Sequence, residues 1–192
     1  MPLNRKLAVA GVVIAILALL WLSVYSRRDT GEGDIAAPAP ALQGYEPAAE
    51  PKPLQALAFT DGKGRAMSLA DFRGKVVVLN LWATWCTPCL AEMPMLDRLQ
   101  DELRNEDVVV LALSIDRGGS DVVQAFYREN GIRHLDVYVD RTMWAPDRIR
   151  TSGLPTTVLI DREGRERGRV KGPAEWDSPA AVALVRKLAA ER

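Results

Sequence analysis

The chain has 192 residues, 48% apolar and 26% charged, with 25 basic and 25 acidic side chains. That is the composition of a folded protein with one modest core, not of a disordered or collagen-like chain. The charge is uneven: residues 1–28 hold four basic and no acidic groups, residues 29–53 one and five, and residues 54–192 twenty of each. No domain-sized stretch is basic enough to hold nucleic-acid phosphates, and two cysteines with one histidine cannot build a four-ligand zinc site.

Leu7 to Tyr25 is an uncharged run bracketed by Arg5 and Lys6 on one side and Arg27 and Arg28 on the other. At about 1.5 Å per residue it nearly spans a ~30 Å hydrocarbon layer. Residues 1–28 therefore read as an N-terminal membrane anchor, transmembrane over about 7–25, with the amino terminus inside and the rest of the chain outside. The rival is a cleavable signal peptide, against which stand the length of the run and the poor cleavage match of Val24-Tyr25-Ser26. Residues 29–53 carry five of the twelve prolines, six alanines and three glycines, and read as an extended linker that buries too little surface to fold.

Residues 54–192 are the size of one domain. Apolar runs at Lys75–Trp82, Val108–Ile115, Val137–Val139 and Thr156–Ile160 read as strands. The first two are apolar on both faces, as central parallel strands are. Leu90–Leu103 spaces its leucines and Met93 by three and four, the helical period. Asp121–Asn130 follows Ser120 as N-cap and stops at Gly131, and Pro179–Ala190 follows Ser178 as N-cap. The turn Asp161–Gly164 joins Thr156–Ile160 to a last strand, Arg165–Val170. The predicted fold is an α/β sheet with parallel central strands and an antiparallel C-terminal hairpin, helices covering both faces.

Cys86-Thr87-Pro88-Cys89 lies between the Lys75–Trp82 strand and the following helix. Helix-end N–H groups stabilise a thiolate at Cys86, making it the nucleophile; Cys89, one turn inside, can close a disulfide, with Pro88 restricting the loop between. A structural disulfide over so short a loop would stabilise little. A haem-attachment site lacks its histidine, since Leu90 follows Cys89. A Cu(I) site made from Cys86, Cys89 and His134 is the metal-binding alternative.

Trp82-Ala83-Thr84-Trp85-Cys86-Thr87-Pro88-Cys89, then Glu92 and Pro94, and later Gly153-Leu154-Pro155-Thr156, resemble the thioredoxin-like proteins of the TlpA type. The resemblance runs from about Phe59 to Trp176. It implies a thioredoxin-like central mixed sheet flanked by helices, preceded by one transmembrane helix. It implies that Pro155 is a cis-proline opposite the cysteines, so that the backbone of Leu154 pairs with a bound client strand, beside Trp85 and Pro88 in the substrate site. It also implies that Glu92 is an acid near the cysteines, able to take the proton of Cys89; a solvated helix glutamate is the alternative. Pro94 kinks the active-site helix in that family. Asn80 stands where thioredoxins proper carry a buried acid, which argues against a proton relay through that strand.

These readings converge on a membrane-anchored thiol:disulfide oxidoreductase of the bacterial inner membrane, single-pass, its domain in the periplasm, with no cofactor or metal. The resemblance implies exported cysteine-containing clients, such as a copper chaperone, an oxidase subunit or an apocytochrome, a membrane electron donor of the DsbD/CcdA type, and a monomer. A thiol peroxidase is the enzymatic alternative, against which Ala83 replaces the threonine expected three residues before the peroxidatic cysteine.

Overall fold

In a computed structural model, the structure describes Trp21 and residues 41–191. The transmembrane run and most of the linker fall outside the described residues, among which no helix is long and apolar enough to cross a membrane.

Eight strands form one mixed sheet: β1 (Tyr45–Pro53), β2 (Ala58–Asp61), β3 (Ala66–Ser68), β4 (Val76–Trp82), β5 (Val108–Ser114), β6 (Tyr138–Val139), β7 (Thr156–Ile160) and β8 (Arg165–Lys171). The order across the sheet is β1-β8-β7-β4-β5-β6-β2-β3. β4 runs parallel to β5 and β5 to β6, whereas β7 and β8 turn back antiparallel beside β4. All seven residues of β4 and all five of β7 are buried, which explains why both are apolar apart from Asn80, Thr156 and Thr157. Helices α1 (Thr87–Leu103), α2 (Ser120–Glu129), α3 (Ala145–Arg148) and α4 (Pro179–Ala190) complete the fold. Ser178 caps α4 by accepting from the Ala181 N–H, as its place before proline predicts.

Four features differ from expectation. The linker predicted over 29–53 does not stay a linker: Tyr45–Pro53 is the edge strand β1, paired with β8. Leu42 is buried, and the Tyr45 ring lies on Gly168, where any Cβ would collide with it. The Tyr45 hydroxyl donates to the Arg167 carbonyl at 3.1 Å. The N-cap of α2 is Gly119, at φ +77°, and Ser120 is already helical. β2 and β3 were not anticipated, being three or four residues each. Their turn Asp61–Arg65 repeats the chemistry of Asp161–Arg165: in each the aspartate Oδ1 accepts two backbone N–H groups, its Oδ2 meets the arginine Nε, and a positive-φ glycine closes the loop. Finally, the four-residue α3 carried no periodic signal.

Candidate active site

The parallel pair β4 and β5 ends at one edge of the sheet, and the chain turns from β4 into α1 through Ala83–Cys86. Asp116, buried just past β5, fixes this turn. Its carboxylate accepts the Thr84 N–H at 2.9 Å, the Thr84 hydroxyl at 2.7 Å and the Ser114 hydroxyl at 2.7 Å. These donors share one buried carboxylate and satisfy it in place of water. Cys86 is then the N-cap of α1, with Pro88 in the first turn, and its carbonyl accepts the N–H groups of Cys89 and Leu90. The helix begins at Thr87, one turn before the Leu90 start of the leucine spacing, because Thr87-Pro88 adds no apolar residue to that periodic face.

Cys86 and Cys89 are joined in a disulfide, Cα–Cα 5.3 Å. Cys86 keeps 7% of its surface and Cys89 none. The bond is therefore approachable from the Cys86 side only. Trp85 stands beside it 63% exposed, while Trp82 is buried and packs on Phe126 and Tyr127 of α2. Trp82 is thus a packing residue, and Trp85 is free to meet a partner.

Opposite lies the segment before β7, where the Leu154–Pro155 peptide is cis. The Thr156 hydroxyl donates to the Gly153 carbonyl at 2.8 Å, and the Pro155 carbonyl accepts from the Gly172 N–H. The backbone N–H and C=O of Leu154 have no hydrogen-bond partner among the described residues. A groove of about 470 Å³ runs between the two segments, lined by Trp85, Cys86, Pro88, Ile115, Pro146 and Leu154. The structure thus brings together Trp85, Cys86, Pro88 and Leu154 around one opening, while Pro155 is buried behind Leu154 and is not part of the lining.

Glu92 lies one turn after Cys89 on α1 and is 1% exposed, which overturns the solvated-helix alternative. Its Oε1 accepts from Asn80 Nδ2 at 2.6 Å, and its Oε2 from the Ala174 N–H at 3.3 Å and from Trp176 Nε1 at 3.2 Å. Burial disfavours the charged form and outweighs these three donors, so the carboxyl is pushed up to about 7. Asn80, on β4, also donates to the Thr157 hydroxyl, leaving its own Oδ1 buried without a partner. The buried acid that β4 lacks is therefore supplied by α1, with Asn80 as its support. Trp176 as a hydrogen-bond partner was missed from sequence; only its place in a Pro-Ala-Glu-Trp turn hinted at anything beyond packing. Glu92 also borders a hollow of about 600 Å³, walled by Leu42, Gly44, Met95 and Val170.

The copper alternative does not assemble. His134 sits against Asp101, Nδ1 to Oδ1 3.4 Å, and its backbone N–H donates to Asp97 Oδ1. Asp101 is twelve residues past Cys89 on α1, about 18 Å along the axis, so one chain cannot close His134 onto the sulfurs. Among the described residues no group of three or more His, Cys, Asp or Glu is placed to hold a metal ion.

Comparison with known proteins agrees with this geometry. A thiol-disulfide oxidoreductase ResA from Bacillus thuringiensis is 36% identical over 117 residues, covering 59% of this chain and 64% of that protein. One from Geobacillus kaustophilus is 28% identical over 169 residues, 88% of each. The fold matches the exposed lipoprotein thioredoxin Etrx1 of Streptococcus pneumoniae, TM-score 0.60 at 27% identity, covering 70% of this chain and all of that one. It also matches a thioredoxin-family thiol:disulfide interchange protein of Chlorobium tepidum, TM-score 0.57 at 23% identity, over 74% of this chain and 99% of the other. The fold is thioredoxin-like. The AhpC/TSA family model matches residues 51–167, more than half of the chain, and the protein belongs to the AhpC/TSA family.

Proposed function

We propose that this protein is a thiol:disulfide oxidoreductase, anchored in the bacterial inner membrane with its domain in the periplasm, that reduces cysteines of exported proteins in copper-site or cytochrome maturation. The observation that carries the chemistry is the disulfide at the N-terminus of α1, open only at Cys86 and faced by the unpartnered backbone of Leu154. The relatives named ResA and Etrx1 support the reaction class, and the name of the second, an exposed lipoprotein, supports the compartment.

In the reduced protein the α1 dipole and its free N–H groups hold Cys86 as a thiolate. An extended client segment lies along the groove and pairs with the Leu154 backbone, which places its disulfide over Cys86. Cys86 attacks one client sulfur, the other leaves as a thiol, and a mixed disulfide remains. Cys89 then loses its proton, attacks Cys86, and releases the client as a dithiol. Glu92, on the same side of α1 and poised near neutrality, takes that proton. The oxidised protein is restored by a membrane electron donor of the DsbD/CcdA type. Tethering serves this cycle, because the exchange domain must meet a donor in the same bilayer while working in an oxidising space.

The test is trapping. Cys89→Ser should leave clients disulfide-linked to Cys86, and those captured should be exported cysteine proteins; Cys86→Ser should capture none. Equal capture by both variants would defeat the assignment of roles. Ala83, buried, leaves no hydroxyl three residues before Cys86, and turnover of hydroperoxide by the purified protein would revive the peroxidase reading.

A further inference from the structure

The groove beside Cys86 is bounded on one side by two loops, the one following β5 and the one carrying α3. They hold Arg117, Arg141, Arg148 and Arg150. None of these four takes part in an ion pair among the described residues. Eight other described arginines each meet a carboxylate. Seven in all lack one, and four of those seven are on these two loops. Arg117 is two residues from the groove-lining Ile115, Arg148 two from Pro146, and Arg150 adjoins Thr151. The carboxylates nearby do not cancel this charge at the surface. Asp116 is buried under Thr84, and Asp140 is buried, accepting from Thr142 and from the Ala145 N–H. Asp147 is exposed, as is Asp121 at the start of α2; Glu46 and Glu166, which share a hollow with Arg148 and Arg150, are already paired with Lys171 and Arg169.

Among these cations stands Trp144, 62% exposed, with the Arg148 guanidinium 5.9 Å from its ring centroid. The loop that presents it is held in an unfavourable backbone form. Met143 at φ +58° and Arg150 at φ +55° are non-glycine residues in the left-handed region, one on each side of the Trp144–Ile149 segment. These two residues bracket the exposed tryptophan on a loop that borders the groove beside the disulfide. Apart from the Arg148 guanidinium, no ring contact engages the exposed indole among the described residues. The loops are tied together as well, Arg141 Nε donating to the Arg117 carbonyl and Arg117 Nε lying 3.2 Å from Met143 Sδ. The four cations and the ring thus share the two loops whose residues Ile115, Pro146 and Thr151 line the groove, with Arg148 and Arg150 also lining the neighbouring hollow against β1.

We propose that this rim of two loops selects clients whose cysteine lies in an extended acidic segment with a large apolar side chain, the carboxylates meeting Arg117, Arg148 and Arg150 and the apolar group meeting Trp144. The proposal rests on the oxidoreductase reading above and names its substrate class. Uncompensated guanidinium groups steer a carboxylate-bearing segment toward the groove and fix its register by bidentate pairing, while an exposed indole supplies the apolar anchor. A basic segment meets repulsion at the same place.

The test uses the full chain in detergent, its disulfide first reduced with a dithiol that is then removed. Two peptides with the same disulfide-closed ring and a tryptophan beside it are compared in a single turnover, one flanked by glutamates and the other by lysines. In each, two electrons pass from the Cys86–Cys89 dithiol to the peptide disulfide, leaving the protein oxidised and the peptide as a dithiol. The acidic peptide should react faster by about tenfold at low salt, the preference shrinking to about threefold or less near ~0.5 M salt. Arg117→Glu with Arg148→Glu should reverse the order. Trp144→Ala should slow the acidic peptide by about fivefold. The wild-type salt series decides the matter even where the double variant folds poorly. Equal rates at all salt concentrations overturn the rim while leaving the oxidoreductase intact. Reduction of neither peptide overturns the oxidoreductase reading, and the rim with it.

Discussion

Glu92 is a carboxylic acid whose proton is held by the fold. Unfolded, it ionises near its ordinary 4.5; in the native protein burial holds the proton up to about 7. Between those values the native state binds more protons than the unfolded one, so stability falls as pH rises through the window and the loss is complete above it. The span corresponds to roughly 3 kcal/mol. Denaturant titrations of the oxidised protein from pH 4 to 8 should show this decline, and Glu92→Gln should abolish it. The same substitution should slow release of trapped clients and flatten the pH dependence of exchange; an unchanged profile between pH 5 and 9 would remove Glu92 from the proton path. Asn80 donates to the ionised form at 2.6 Å, so Asn80→Ala should raise the Glu92 carboxyl further, which a carboxyl-carbon NMR titration reads directly. Cys86 and Cys89 are legible from their spacing between a strand and a helix, whereas Pro155 is placed only by the resemblance to thioredoxin-like proteins. The environment of Glu92 was not legible, since it depends on Ala174 and Trp176, more than eighty residues away. A three-residue offset from Cys89 fits a solvated face as well as a buried one.

At the scale of elements, the chain reads well where periodicity is strong and poorly where pairing is long-range. β4, β5, β7 and helices α1, α2 and α4 announce themselves by β-rich apolar runs, leucine spacing and caps. β1 does not: Tyr-Glu-Pro-Ala-Ala-Glu-Pro-Lys-Pro has the composition of a spacer, and only pairing with β8 makes it a strand. A polypeptide beginning at Leu54 therefore loses part of the fold, contrary to the boundary drawn from composition. Compared with one beginning at Ala41, it should unfold at lower urea concentration. Tyr45→Ala, which uncovers Gly168 and removes the hydrogen bond to Arg167, should account for about 1–3 kcal/mol of the difference. Equal midpoints for the two polypeptides would restore the linker up to residue 53. The turn into α1 offers a second check. Asp116→Ala leaves the Thr84 N–H and two hydroxyls without their acceptor and should cost about 1–3 kcal/mol, with loosening concentrated in the Ala83–Cys86 amides by hydrogen exchange.

For the whole molecule, the proposed topology places the reactive sulfur on the outer side of the inner membrane. A maleimide that does not cross bilayers should label Cys86 of the reduced, full-length protein in intact spheroplasts, and Cys89 far more slowly because it is fully covered; protection of both until lysis would place the domain inside. Confinement to a surface raises the local density of such domains, and an eight-stranded sheet has two rims along which neighbouring copies could zip together. The rims are built against that. β3 is only three residues long. β1 spends positions 47, 51 and 53 on proline, a residue with no backbone N–H to offer an incoming strand. Crowded copies can thus slide past one another without joining their sheets, and the prolines that disguised β1 as a spacer serve as its guard against fibre-like association.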